Sequence, residues 1–293
     1  MTNEVLHGSI IKITSNFPGA GATTAKLNIA KNPHFAALSA GDFRRALVVD
    51  WENWKSQDWT SFRNQYFMLW AKGGIQTVLS YLTEKDRLSQ TVENKKLTAF
   101  NDRAAEDFAP TSNDWKIWDW MTDAYSIYRT RMLLEAGYSV VGEGDLVIAT
   151  QEIDQLQDES QKLDEAYPTI LHSTFCYILS VDRFSGTKRV EQREKAAALI
   201  AGREYHALTL MERLTQLEDI VADDYSRYAL LYSIVGAPLD TLRYNQMHAR
   251  AIDASQEESV IKRSIENDVK TRVEKLRPNH PELVAHLLGH LQE

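Results

Sequence analysis

Along this chain, short runs of β-branched and apolar residues alternate with longer stretches whose apolar positions recur about every 3.6 residues. The short runs predict strands over Glu4–Thr14, Phe35–Leu38, Tyr138–Val141, Thr174–Val181 and Ala249–Asp253. Most are nearly continuous in hydrophobicity, as expected of strands buried on both faces. The longer stretches predict helices. The first spans 23–31, with Leu27, Ile29 and Ala30 on its inner face, and Asn32-Pro33 ends it. A Ser39-Ala40-Gly41-Asp42 turn then leads to a helix beginning near Phe43. Asp119–Ala136 is a strong helix stopped by Gly137 at its C′ position. Residues 151–166 are acidic and amphipathic, and Thr187–Tyr232 is helical and rich in arginine. A helix of roughly five turns starts at Gln256, and a short amphipathic one follows the break at Arg277–Pro281. Strands alternating with helices predict an α/β fold: a parallel sheet covered by helices on both faces, with right-handed crossovers.

One segment departs from that rhythm. All seven tryptophans fall between Trp51 and Trp120, amid helical periodicity at Phe62, Tyr66, Trp70 and at Val78, Tyr81, Leu82. Residues 48–118 therefore read as a mostly helical insertion, with 1–47 and 119–293 forming the core domain. The tryptophans either build a small core of their own or stack on a ligand's base or sugar. The polar stretch from Lys85 to Asp114 reads as an exposed excursion.

Composition narrows the function classes. The chain has 293 residues, 43% of them hydrophobic, and a net charge of -8. A nucleic-acid scaffold needs a basic footprint, and this balance argues against one. No apolar run reaches the ~18 residues of a membrane helix. The single Cys176 lies in an apolar run, so a buried free thiol is expected, and the lack of any second cysteine points to a reducing, cytoplasmic setting. His286 and His290 have the i, i+4 spacing of a zinc pair but no further ligands nearby, so a surface helix ridge is the expectation.

The stretch with most chemistry runs from Ile10 to Arg45. A β-branched strand enters Pro18-Gly19-Ala20-Gly21-Ala22-Thr23-Thr24, which opens a helix. Strand, glycine turn and helix form the layout of a phosphate-binding loop, where successive N–H groups and a helix N-terminus converge on anionic oxygens. Against the pattern G-x-x-x-x-G-K-[ST], Gly21 and Thr23 hold their places, Asn16 stands at the first glycine and Ala22 at the lysine. The nearest lysines are Lys26, one helical turn on, and Lys12, on the preceding strand.

The order of motifs resembles the cytidylate kinase-like branch of the P-loop nucleoside monophosphate kinases, most closely the short archaeal type. Pro18–Thr24 looks like that family's phosphate loop, and Leu38-Ser39-Ala40-Gly41-Asp42-Phe43-Arg44 like its monophosphate-binding turn, short by one residue. Gly137–Gly144 looks like its strand ending in Glu-Gly-Arg, with Asp145 in place of the arginine. Lys188–Glu194 is similar to its arginine lid, Asp224–Tyr232 to the segment after it, and Ile252–Ser255 to its adenine-side turn. The resemblance implies a P-loop nucleotide kinase-like sheet, with ATP and Mg²⁺ as cofactors. Pro18, Gly19, Ala20, Gly21, Ala22, Thr23 and Thr24 would hold donor phosphates, and Thr23 would ligand Mg²⁺. Ser39, Asp42, Arg44 or Arg45, Glu143 and Asp145 would serve the acceptor; Asp145 could instead reach a second metal or a ribose hydroxyl. Arg189 and Arg193 would close over the transferring phosphoryl group, and Arg227 would assist on the acceptor side.

The implied activity is ATP-dependent phosphorylation of a nucleoside monophosphate, cytidylate by default, or a related small acceptor. Ala22 and Asp145 both remove positive charge from an anionic reaction centre, and removing one preorganised stabiliser costs about 10²–10³ in rate. The alternative is therefore a catalytically silent nucleotide-binding protein with a regulatory or docking role. The expected ligand is a small nucleotide, with no nucleic acid or membrane partner; the tryptophan-rich insertion offers a surface for a protein partner.

Overall fold

The computed structural model describes residues 6–56, 58–90, 92, 96, 99–100, 116–143, 161–200, 202, 204–206, 211, 214–215 and 250–292. The chain divides into two compact units. One comprises Met1–Leu38, Met132–Leu146 and Asp164–Glu293; the other comprises Ser39–Arg131 and Val147–Leu163.

The first unit is built on a five-stranded, all-parallel sheet flanked by helices. Its strands are β1 (Ile10–Ser15), β2 (Phe35–Ser39), β3 (Ser139–Glu143), β4 (Thr174–Ser180) and β5 (Arg250–Asp253), in the order β2-β3-β1-β4-β5. In register, Lys12 of β1 lies between Gly142 of β3 and Cys176 of β4. Ile11, Ile13, Val141, Phe175, Tyr177, Leu179 and Ile252 share one apolar core with helices from three parts of the chain. These are α1 (Ala22–Ile29) and the two helices that follow β5. Lys12 is buried on the opposite face and lies across Gly142, where an added Cβ would come within 2.9 Å of the ammonium nitrogen. Gly142 therefore sits inside the strand, with no side chain to displace Lys12.

Two boundaries and one buried face differ from the sequence reading. Leu27 is 53% exposed; Ala25, Lys26 and Ile29 form the buried stripe of α1 instead. The run Ala40–Asp42 is not a turn: α2 (Ala40–Glu52) starts directly at Ala40, with Ser39 as its extended N-cap. Serine favours that position as strongly as it favours turns. The helix read from Thr187 begins at Arg183, soon after β4.

In the second unit α2 is followed by α3 (Trp59–Glu84), whose N-cap Asp58 accepts from the amides of Thr60 and Ser61 at 3.2 and 3.1 Å. Gly73 and Gly74 interrupt α3, and Gly74 adopts φ 60°, ψ −151°, a region open essentially to glycine alone. That break separates the two periodic stretches seen in the sequence. Trp59, Phe62, Tyr66, Phe100 and Trp118 pack ring to ring at 4.8–6.2 Å, with Trp51 and Trp54 on the cluster's edge. Trp59 and Trp118 are core, and Trp51 and Trp54 are half-buried beside them. Beneath them Asp50, 1% exposed, accepts from Tyr66 and Tyr81 hydroxyls at 3.0 and 3.2 Å and from Arg87 Nε at 3.1 Å. Burial, then the Asp50 charge, pushes both phenols well above their ordinary range.

The helix α4 (Lys116–Glu135) ends in the expected glycine motif. Gly137 adopts φ 85°, and the amides of Gly137 and Tyr138 bond back to Leu134 and Leu133. After β4 comes α5 (Arg183–Ile200); after β5 come α6 (Glu258–Glu274) and α7 (Pro281–Gly289). Ile261, Ile265, Val269 and Val273 give α6 one continuous apolar stripe onto the sheet. Cys176 is buried and free, and burial pushes its thiol up to about 12. Among the described residues, no helix is long and apolar enough to cross a membrane.

The histidines of α7 are not a surface ridge. His290 is buried, stacked on His34 at 4.9 Å and beside His286 at 4.5 Å. Its Nδ1 lies 2.8 Å from Ser139 Oγ, and its carbonyl accepts from Asn32. These contacts tie the end of α7 to the first residue of β3 and to the segment just before β2.

Candidate functional site

The connection after β1 runs towards β2 at one edge of the sheet; the connection after β4 runs towards β5 at the other. Adjacent parallel strands that part company in this way leave a crevice at their carboxyl ends, the usual ligand position of open α/β sheets. Here that crevice is a cleft of about 780 Å³, lined by Pro18–Ala25, by Arg189, Gln192 and Arg193 of α5, and by Ala254, Gln256, Glu257, Glu258 and Ile261 around the start of α6.

The local sequence explains the shape of the glycine turn. Gly19 and Gly21 take φ 85° and 92°, a left-handed backbone that a Cβ would strain. At Gly19 there is also no room: a Cβ would fall 2.6 Å from the carbonyl oxygen of Gly186. At Gly186 a Cβ would strike the Phe17 ring at 2.3 Å. The turn and the first residues of α5 thus meet backbone to backbone. Gly21 is the N-cap of α1 and supplies no side-chain cap; its carbonyl receives the amide of Ala25 at 2.9 Å. Among the described residues, no acceptor meets the amides of Ala22, Thr23 and Thr24. Such open amides, at the positive end of a helix dipole and on the wall of a cleft, suit an anion.

Asn16, which fills the place of the pattern's first glycine, has its own task. Its amide bonds to Leu179 O at 3.1 Å, its side-chain nitrogen to Ser180 Oγ and Val181 O at 3.2 Å each, and its side-chain oxygen accepts from Val181 N at 2.9 Å. It therefore locks the entry of the turn to the end of β4, immediately before α5 begins.

Two cations face the turn. Arg189 donates to Gly19 O at 3.3 Å, and Arg193 follows one helical turn later on the same cleft wall. Next to Ala254 of the far wall, Asp253 caps its own turn by accepting from the Ser255 amide at 2.9 Å; the Ser255 hydroxyl first, then that amide, with the charge of Arg189 as a smaller contribution, hold its carboxyl below the usual range. Glu257 and Glu258 make this far wall acidic, so the positive potential is confined to the glycine-turn side.

Of the other sequence candidates, Glu143 ends β3 and pairs with Lys26 at 3.0 Å; Lys26 is buried rather than lining the cleft. Thr23 is exposed on the cleft wall. In the second unit, Arg45 forms an ion pair with Asp42, and both Ser39 Oγ and the Arg45 guanidinium lie within 3.4 Å of a Cβ built on Gly41. Tyr125, stacked on Phe43 at 5.4 Å, joins this cluster. Burial raises its phenol, the Asp42 carboxylate adds to the rise, and Arg129, which donates to it, and Arg45 oppose. Arg44, next along α2, is half-buried. Asp145 and Arg227 lie outside the described residues.

Sequence reading singled out the turn and the two arginines that line this cleft. It missed the Asn16 lock, the Lys26–Glu143 pair, the Tyr125–Arg129 contribution and the acidic wall. Only the last had a visible signal, the Glu257-Glu258 pair one residue beyond the Asp253–Ser255 turn. No protein-family model matches this chain, and no curated protein is significantly similar to it.

Proposed function

We propose that this chain binds a nucleoside polyphosphate in the cleft and acts as a P-loop nucleoside monophosphate kinase-like phosphotransferase, passing a phosphoryl group from ATP to a small acceptor, cytidylate by default. The observation that carries the reading is the meeting of the open N-terminus of α1 with Arg189 and Arg193 in one cleft at the sheet's carboxyl edge. Phosphoryl transfer asks mainly for in-line positioning and positive charge on the equatorial oxygens, and those are the groups gathered there. Mg²⁺ in such sites takes one or two protein oxygens and otherwise the substrate's phosphates and water. The Thr23 hydroxyl is the group on this cleft wall that would serve it. Ser39, Asp42 and Arg45, with Tyr125 and Arg129, form a polar cluster suited to an acceptor phosphate, the two guanidiniums outnumbering the one carboxylate.

A second reading has a specific observation in its favour. Ala22 removes the customary lysine, and Lys26 is held by Glu143. A silent nucleotide binder needs the amides but not the mobile ammonium. An ADP-release assay across CMP, dCMP, UMP and AMP, run beside calorimetry with ATP, separates the two. Turnover with one monophosphate supports the kinase. ATP binding without turnover supports the silent binder. Neither turnover nor binding removes both.

A further inference from the structure

A charged pair lies at the sheet edge from which the phosphate turn leaves, and its placement is odd for a purely structural contact. Lys26 is 5% exposed on the stripe of α1 that otherwise carries Ala22, Ala25 and Ile29 against the apolar core. A leucine or methionine would suit such a position, since burying an ammonium costs several kcal/mol before any partner repays it. The partner is Glu143, the last residue of β3, 3.0 Å away and opposite Ile13 in register. The ammonium therefore sits at the carboxyl edge of the sheet, the edge from which the glycine turn leaves. Helix geometry agrees. Lys26 lies about 6 Å along the axis from Ala22, and helical side chains lean back towards the N-terminus by about one turn, so a lysine at 26 covers the level of residue 22.

Resting on the nucleotide-binding reading above, we propose that Lys26 is the displaced cation of this phosphate site. It replaces the lysine missing at 22. Glu143 holds it while the cleft is empty and gives it up to the polyphosphate when a nucleotide binds. Glu143 thereby competes with the nucleotide for one ammonium. No bond is made or broken; the ion pair exchanges one anionic partner for another. The pair also makes the cleft less attractive to weaker anions, because the carboxylate must be outcompeted before the ammonium is released.

The competition gives a signed test that a structural pair would fail. Calorimetry on the full chain measures ADP and adenosine affinity for wild type, Glu143→Gln and the charge-balanced double variant Lys26→Met/Glu143→Gln. Releasing the ammonium in Glu143→Gln is expected to tighten ADP by about threefold to tenfold, somewhat less than the full net worth of a hydrogen bond to a charged group. The double variant is expected to bind ADP at least about tenfold more weakly than Glu143→Gln, and Ala22→Lys on that background to restore the loss. Adenosine, which has no phosphate, should bind all of them alike. Unchanged or weaker ADP binding by Glu143→Gln overturns the proposal, as does a double variant that equals it. If the double variant does not fold, the single variant still decides by its sign. Wild type that binds no ADP removes the nucleotide-binding reading as well, whereas wild-type binding with no response to these substitutions removes only the role of Lys26.

Discussion

His290 offers a test whose sign and size both follow from the fold. Its ring is buried between His34 and His286, and the Ser139 hydroxyl approaches Nδ1 at 2.8 Å. Ser139 Oγ already accepts from the Ser9 amide at 2.9 Å and lies 3.3 Å from the Ser9 hydroxyl, so its own hydrogen points to the imidazole. Nδ1 must then accept, which requires the neutral ring. Burial, with smaller contributions from His286 and His34, lowers the His290 pKa from 6.5 to about 4, and His286 is shifted the same way. The unfolded chain therefore takes up the proton first. Stability is complete above pH 6.5 and drains away as pH falls towards 4. By linkage, the two values imply a loss of about 2 kcal/mol between pH 7 and pH 5 from His290 alone. Over that window most carboxylates keep their charge, so His290→Gln, which cannot titrate, is the matched control. Denaturant unfolding followed by far-UV circular dichroism at pH 7, 6 and 5 should show wild type losing about 2 kcal/mol more than the variant. A ring that titrates near 6.5 by NMR, or identical pH slopes for the two proteins, would refute the argument.

Further outcomes follow from other contacts. Gly19→Ala must place a Cβ 2.6 Å from Gly186 O at φ 85°, so ADP affinity should fall at least about tenfold by calorimetry, with a melting temperature lowered by a few degrees. Asn16→Ala removes the lock on Ser180 and Val181; hydrogen exchange at Val181 should speed up while the Ile11 amide, deep in β1, is unaffected. Asp50→Ala leaves Tyr66, Tyr81 and Arg87 without their shared acceptor and should cost about 3–5 kcal/mol, read as loss of the cooperative tryptophan-fluorescence transition at lower denaturant.

Much of the sheet was legible because parallel strands buried on both faces have an unmistakable composition: Ile10–Ile13 and Phe175–Leu179 are apolar or nearly so from end to end. The close of α4 was legible for a different reason, since Gly137 is a position that only a left-handed cap explains. Ser39–Asp42 misled because serine, glycine and aspartate suit a turn and a helix start equally well, and only the packing of Phe43 and Ala46 decides. Leu27 misled because hydrophobicity alone does not say which face of a short helix is covered. Asn16 and the Lys26–Glu143 pair were beyond reach for a deeper reason. Each joins residues more than a hundred positions apart, and a polar residue inside an apolar stripe carries no label naming its distant partner.

The claim on which the rest depends is that main-chain amides at the start of α1 hold a phosphate without a lysine in the turn. Amide chemical shifts recorded during titration with ADP and, separately, adenosine test it directly. Saturable movement of the Gly21, Ala22, Thr23 and Thr24 amides with ADP, and much smaller movement with adenosine, is the expected result. Still amides at those four positions under saturating ADP, or movement confined to residues outside the cleft, would contradict it.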